Sequence, residues 1–209
     1  MTGFREIDSE TKRVNHLQQK LWWFLLLKIM LVINLLFFST VGILFAIGGG
    51  QKEFLVTQEI DASRETIFEL ITQPDSLKKW VTGVSQVESI GKPGSATLGV
   101  RFKTTINDKE SQTVFDIQNE VTNIQQGREL QLSMQCDLFD ATNNFQLSFK
   151  NDDGLSSNTI VVAQTFQVRF KGLSRISAAF LDKQIRLKLE SDLLKLKDLA
   201  EKQPTPSLQ

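Results

Sequence analysis

The middle of the chain, from Val84 to Phe170, alternates apolar and polar residues with a period of two. This period is typical of β-strands that bury one face and expose the other. The alternating segments are 100–106, 115–121, 130–136, 145–149 and 160–170. Residues that favour turns separate them at Asn107-Asp108, Gln126-Gly127 and 151–154. Because links this short join neighbouring strands, the pattern predicts an antiparallel sheet.

Helical spacing flanks this sheet on both sides. Before it, the segment 52–60 predicts a strand. A helix is then predicted with Asp61 or Ser63 as its cap and Pro74 as its end, and a second short helix is predicted from Asp75 to about Trp80. After Gly172, a segment of nearly thirty residues carries an apolar stripe that predicts a long amphipathic helix: Leu181, Ile185, Leu189, Leu193, Leu196 and Ala200. A helix lying across the sheet buries both apolar surfaces, so the predicted class is α+β.

The first 50 residues follow a different pattern, because from Leu21 to Ile47 the only charged residue is Lys28. The 19 uncharged residues after it span roughly 28 Å as a helix, close to the ~30 Å hydrocarbon core of a bilayer. Trp22 and Trp23 at the N-terminal edge fit an interfacial aromatic belt. The segment predicts an uncleaved transmembrane helix over 21–47. A cleaved signal peptide and a buried core helix are the alternatives.

The charges beside this helix predict its orientation. Five basic residues precede or begin the span, whereas only Lys52 follows it closely: Arg5, Lys12, Arg13, Lys20 and Lys28. By the positive-inside rule, the N-terminus is predicted to be cytoplasmic and the later part of the chain to face the periplasm, the outside or a lumen. The predicted organisation is a cytoplasmic segment 1–20, the span 21–47, a glycine linker 48–52, a globular domain 53–202 and a flexible tail 203–209.

Composition restricts the possible chemistry. The formal net charge of the 209 residues is zero, so the chain lacks the basic footprint of a nucleic-acid-binding protein and no nucleic-acid partner is expected. The chain has no tyrosine, and its one histidine, His16, precedes the predicted span. General acid–base catalysis near neutral pH therefore has no histidine or tyrosine in the globular part, although a tuned Lys, Cys or carboxylate stays possible. No metal-ligand cluster or phosphate loop is visible, so we expect no metal and no cofactor.

The remaining candidates for chemistry have simpler explanations. Cys136 falls on an apolar strand face and is expected to be a small buried hydrophobic residue rather than a nucleophile. Asp116 and Glu120 share one strand face about 13 Å apart, too far for a cooperating catalytic pair. Basic residues on the preceding strand, Arg101 and Lys103, predict cross-strand ion pairs instead. No catalytic residue is predicted, and an enzyme is the less favoured hypothesis.

The order of elements resembles the SRPBCC or START-like superfamily over about residues 53–202. The resemblance rests on EIDASRETIFELITQPDSLKKWVTGVSQVESI, which looks like the opening of these domains, and on the later segments GVRFKTTI, TNIQQGRELQLSM and DLLKLKDLAE. It implies a helix-grip fold in which a curved antiparallel sheet wraps around a long C-terminal helix. It also implies a hydrophobic cavity between the two, open at one end, for a lipid, a polyketide or another apolar molecule. A simply packed core is the alternative, since alternation fits both.

Four residues are predicted to contact such a ligand. Thr104, Asn119 and Gln164 are polar interruptions of the apolar strand faces, and a buried polar group without a partner costs on the order of 1 to 3 kcal/mol. Each must meet a ligand, another protein group or water, unless a bulge turns it outward. Trp80 follows two lysines in the turn QPDSLKKWVTGV, and the resemblance implies that it lies at or near the cavity mouth.

Three functions remain open. The favoured hypothesis is a membrane-anchored domain that binds a hydrophobic ligand, lipid or polyketide-like, for local transport, presentation or sensing. The alternatives are an enzyme similar to polyketide cyclases/dehydrases and a ligand-free regulatory module tethered to the membrane. The expected partners are therefore a membrane and a hydrophobic small molecule, while a protein partner is left unspecified.

Overall fold

The computed structural model describes the backbone of residues 3–90, 97–108, 113–150 and 159–203, and side chains from residue 22 onward within those ranges, except that of Asp108. The chain divides into two compact units, Met1–Ala46 and Ile47–Gln209. The predicted turn 151–154 and nearly all of the predicted tail lie outside the described residues.

The described part of the first unit is a single helix, α1 (Gly3–Ile47), which ends one residue beyond that unit. It begins well before the predicted span, and its stretch Trp22–Ile47 is long and apolar enough to cross a membrane. No side chain in the apolar window is buried, so the interpretation as a buried core helix is wrong. Two polar side chains bond within the helix, since Asn34 Nδ2 donates to Met30 O and Thr40 Oγ1 donates to Leu36 O. Such bonds lower the cost of placing polar groups in an apolar environment.

In the second unit, the described residues form a seven-stranded antiparallel sheet with the order β1-β7-β6-β5-β4-β3-β2. The strands are β1 (Gln51–Ile60), β2 (Val84–Ile90), β3 (Arg101–Asp108), β4 (Thr113–Gln125), β5 (Glu129–Gln135), β6 (Phe139–Phe149) and β7 (Ile160–Phe170). The predicted turn at Gln126-Gly127 is confirmed, with Gly127 at φ +68°, a conformation that favours glycine. The predicted turn at Asn107-Asp108 is wrong, because both residues extend β3.

Helices cover the apolar face of this curved sheet. They are α2 (Arg64–Thr72), α3 (Leu77–Trp80) after a 3-10 turn at Pro74–Ser76, α4 (Ser174–Ala178) and α5 (Asp182–Glu201). Of the two predicted caps, Ser63 is confirmed, since its hydroxyl accepts from the Thr66 backbone N–H at 3.1 Å. The long C-terminal helix is confirmed as α5, but it is 20 residues long and shorter than the predicted segment of nearly thirty, because α4 is separate. The stripe Leu189, Leu193, Leu196 and Ala200 is buried as predicted.

The outer face of the sheet carries the predicted ion pairs. Arg101 Nε lies 2.9 Å from Glu120 Oε2, and Lys103 Nζ lies 3.6 Å from Asp116 Oδ2 and 3.0 Å from Glu88 Oε2. The hydrogen bond to Glu88 is the main cause that raises the pKa of Lys103. The pKa of Asp116 is lowered, chiefly because the Thr105 hydroxyl donates to it at 2.7 Å. Structural pairing on a solvated face therefore accounts for these charges.

Candidate functional site: an apolar cavity

The inner face of the sheet and the first half of α5 enclose a cavity of about 300 Å³. This volume is at the lower end of the range for small-molecule sites. Nearly all of its wall is aliphatic or aromatic: Leu77, Trp80, Val81, Val84, Ile106, Phe115, Ile117, Leu132, Met134, Phe139, Phe145, Phe166, Val168, Phe170, Leu181, Ile185 and Leu189. The polar or charged residues of the wall are Thr104, Asn119, Asn143, Gln164, Lys188 and Asp192. All four residues predicted from the sequence to contact a ligand thus lie on one cavity wall.

Trp80 is part of the cavity wall and is only 2% exposed. Its indole Nε1–H donates to the backbone oxygen of Leu70 in α2 at 3.2 Å. Its ring meets Phe145 edge to face, with centroids 6.0 Å apart. Trp80 therefore faces inward, and whether it lies near the mouth of the cavity stays a prediction. The short helix α3 carries its indole inward, where a hydrogen bond and an aromatic contact fix its position.

Thr104 and Asn119 are partners of each other across β3 and β4. The Asn119 Nδ2 group donates to Thr104 Oγ1 at 3.0 Å and also lies within hydrogen-bond distance of Phe102 O and Ile117 O. Thr104 and Asn119 are each 4% exposed. The sequence left three possibilities for these polar residues: a ligand, a protein or water partner, or an outward bulge. The amide nitrogen of Asn119 has protein partners, and because both residues are buried, the outward bulge is wrong. Whether the pair also contacts a ligand stays a prediction.

Gln164 on β7 is bonded at only one end of its amide. Its Nε2 donates to Asn143 Oδ1 on β6 at 3.0 Å. Its Oε1 is buried and has no hydrogen-bond partner, and the residue is 3% exposed. Since an unpaired buried acceptor is unfavourable, Gln164 is the wall residue with the clearest unmet hydrogen-bonding capacity.

A buried carboxylate on α5 was missed by the sequence analysis. Asp192 is 3% exposed, and its Oδ1 accepts from the backbone N–H and hydroxyl of Thr82 at 2.8 and 2.5 Å. Its Oδ2 accepts from Lys188 Nζ at 2.5 Å. The signal was present, because Asp192 lies three residues after Leu189 on the apolar stripe of α5 and so had to face inward. These bonds join α5 to the turn that follows α3.

The ionisable groups of the wall therefore have structural partners. Lys188 and Asp192 neutralise each other, and no group of three or more His, Cys, Asp or Glu side chains within the described ranges could hold a metal ion. Cys136 is not buried on a strand face as expected. It is half-buried just after β5 ends at Gln135 and is not part of the cavity wall. The wall thus favours binding of an apolar molecule over acid–base chemistry.

A curved antiparallel sheet that grips a C-terminal helix around an apolar cavity defines a helix-grip, START-like domain. The chain belongs to the family described as polyketide cyclase / dehydrase and lipid transport, whose family model matches residues 51–201. The match begins at the first residue of β1. No curated protein sequence matches the chain.

Solved structures share this fold at low sequence identity. A crystal structure from Chromobacterium violaceum is 15% identical, with a TM-score of 0.56 over 72% of this chain and 98% of that one. A conserved protein from Geobacillus kaustophilus is 17% identical, with a TM-score of 0.58 over 72% and 96%. The di-domain ARO/CYC protein BexL from the BE-7585A biosynthetic pathway is 13% identical, with a TM-score of 0.55 over 74% of this chain and 51% of BexL. These likenesses concern the fold alone.

Proposed function

We propose that the domain binds a hydrophobic small molecule, a lipid or a polyketide-like compound, in the cavity between the sheet and α5. The cavity itself carries this proposal. Protein interiors hold few voids larger than one water molecule. The cavity of this domain, in contrast, has a volume of about 300 Å³ and a wall made mainly of Phe, Leu, Ile and Val side chains. Water in such a cavity finds few polar partners, so an apolar occupant is favoured.

The domain acts close to a membrane in this proposal. Only Gly48, Gly49 and Gly50 separate the end of α1 at Ile47 from the start of β1 at Gln51. With Trp22–Ile47 in a bilayer, a linker this short keeps the domain near the lipid surface, where apolar ligands partition. The role is therefore local transport, presentation or sensing of a membrane-derived ligand. The basic residues before the span favour a domain on the periplasmic, extracellular or lumenal side.

The anchor is tested by analysing the mature protein isolated from cells. We expect its intact mass to include residues 1–50 and the protein to stay in the membrane fraction after alkaline extraction. Changing Leu35 and Leu36 to Arg adds roughly 6 to 8 kcal/mol to the free energy of insertion and should release the protein or prevent its insertion. The matched control changes the exposed domain residues Leu187 and Leu194 to Arg and should stay in the membrane. A mature chain that begins after Gly48 would show a cleaved signal peptide instead.

The bound molecule is tested by extraction. The full chain, purified in lipid nanodiscs after expression in cells, should carry an apolar molecule that organic extraction and mass spectrometry detect in a ratio near one per protein. Empty nanodiscs passed through the same steps are the control for bulk lipid. A protein that comes away empty, fails to bind added apolar probes and retains a protein partner would instead indicate the regulatory module.

The enzyme hypothesis has less support from this cavity. Relatives titled ARO/CYC share the fold, but catalysis in this chain would need a polar wall group free to exchange protons. Lys188 and Asp192 are bonded to each other, and the amide nitrogen of Asn119 is bonded to Thr104. Binding without turnover is therefore the function that the wall supports best.

A further inference from the structure

The free amide oxygen of Gln164 restricts the chemistry of the ligand. Gln164 lines the cavity and is held from one side only, through Nε2 and Asn143. Its Oε1 has no partner. The terminal torsion of a glutamine side chain has a broad energy profile, so a modest rotation can present this oxygen to the cavity without displacing β7. A hydrogen-bond donor on the ligand would satisfy it.

The rest of the wall argues for a ligand without charge. The two charged wall residues, Lys188 and Asp192, form a pair at 2.5 Å, so the wall carries no net charge that would neutralise an ion on the ligand. Thr104 and Asn119 are bonded to each other. A carboxylate or an ammonium group in this cavity would be desolvated without a counter-charge, at high cost.

We propose that the ligand is a neutral, largely hydrocarbon molecule with a hydroxyl group that binds Gln164, such as a long-chain alcohol, a sterol-like alcohol or a phenol. This deepens the proposed function and rests on it. A hydroxyl fits because it can donate to Oε1 and accept from Nε2, so either end of the amide can pair with it. An ether or a hydrocarbon leaves Oε1 unpaired, and a carboxylate has no proton to donate.

The strand register gives the ligand a direction. Gln164 faces Phe145 on β6, the same residue that Trp80 contacts, so it lies at the Trp80 end of the cavity. From there, every second residue of β7 also lines the cavity as far as Phe170, which pairs with Phe139. The hydroxyl therefore binds beside Trp80 and Phe145, and the hydrocarbon part extends along β7 toward Phe170.

Three matched probes test this inference: 1-decanol, decyl methyl ether and decanoate. They are added to the full chain in lipid nanodiscs after removal of co-purified lipid, and affinities are expressed per mole fraction of probe in the lipid. Bound probe is counted by native mass spectrometry and followed by Trp80 fluorescence in a background with Trp22→Phe and Trp23→Phe. We expect decanol to bind about three- to tenfold more tightly than the ether, as one buried hydrogen bond would give. Decanoate should bind most weakly.

The variant Gln164→Leu removes the acceptor and keeps the shape. Decanol and the ether should then bind equally, with the ether at least as tight as before; Gln164→Met serves if the Leu variant does not fold. The control is Gln167→Leu, a glutamine on the opposite face of β7 that bonds to Gln51 and Glu53, and it should preserve the preference for decanol.

Each alternative outcome has one meaning. Equal binding of decanol and ether to the unmodified chain, tighter binding of decanoate, or a decanol preference that survives in Gln164→Leu would overturn the hydroxyl inference and leave the cavity function intact. If none of the three probes binds, the proposed function fails and the hydroxyl inference fails with it.

Discussion

Replacing Val168 with phenylalanine should weaken the binding of every apolar probe by about 100-fold or more, equivalent to roughly 3 kcal/mol. Val168 lines the cavity from β7 and is 2% exposed, so the added ring enters the space that a ligand would occupy. Because the ring would project into the cavity and not into packed side chains, it gains contacts without displacing neighbours. We therefore expect the free energy of unfolding of the unliganded protein to change by less than about 1 kcal/mol.

Val162→Phe is the matched control. Val162 lies on the same face of the same strand, is 0% exposed and does not line the cavity. At this position the added ring meets a filled core and should lower the free energy of unfolding by about 1 to 3 kcal/mol. In thermal unfolding, the Tm of Val162→Phe should fall by roughly 2 to 12 °C, whereas the Tm of Val168→Phe should change little. Equal destabilisation by both substitutions would show that the region around Val168 is packed core, which would remove the basis of the proposed function.

The sheet was predictable from the sequence, because a period of two places every second side chain on one face whatever its distant partners are. Phe115 and Ile117 on β4 fit this pattern, as do Val162 and Val168 on β7. Strand register and cavity volume were not predictable, since alternation is the same for a filled core and for a cavity. The same limit applies to Asn119. Its burial could be predicted from its position on the apolar face of the strand, but its bond to Thr104 depends on the register between β3 and β4.

The break between α4 and α5 shows why the start and the length of the C-terminal helix could not be predicted. No glycine or proline interrupts residues 174–201, so local sequence favours one continuous helix. In the structure, Lys52 Nζ donates to the Ala178 backbone oxygen at 2.6 Å and pairs with Asp182. In an unbroken helix the Asp182 N–H would occupy that oxygen. A residue 126 positions away in the chain therefore holds the end of α4, and only a long-range contact can reveal this.

The expected effect of Asp192→Ala is a loss of about 3 kcal/mol in the free energy of unfolding. The substitution leaves the backbone N–H of Thr82 without its acceptor, and hydrogen bonds to charged groups contribute about 1.5 to 3 kcal/mol each. The pair with Lys188 adds less, because the Lys188 side chain is 44% exposed. The Tm should fall by roughly 6 to 12 °C. Asp192→Asn keeps an acceptor oxygen but has no charge. Its free energy of unfolding should lie between those of the alanine variant and the unmodified protein.

Asp198→Ala on the exposed face of the same helix is the control and should change stability by less than about 0.5 kcal/mol. If Asp192→Ala behaves like this control, the bond between α5 and Thr82 is not a determinant of stability. Thr82 follows Trp80 by two residues, so the Asp192 bond also holds the Trp80 wall against α5. Probe affinity should therefore fall in Asp192→Ala at temperatures where the domain is still folded, whereas it should be unchanged in Asp198→Ala. This loss of affinity, measured with the decanol probe, would separate a role in shaping the cavity from a role in stability alone.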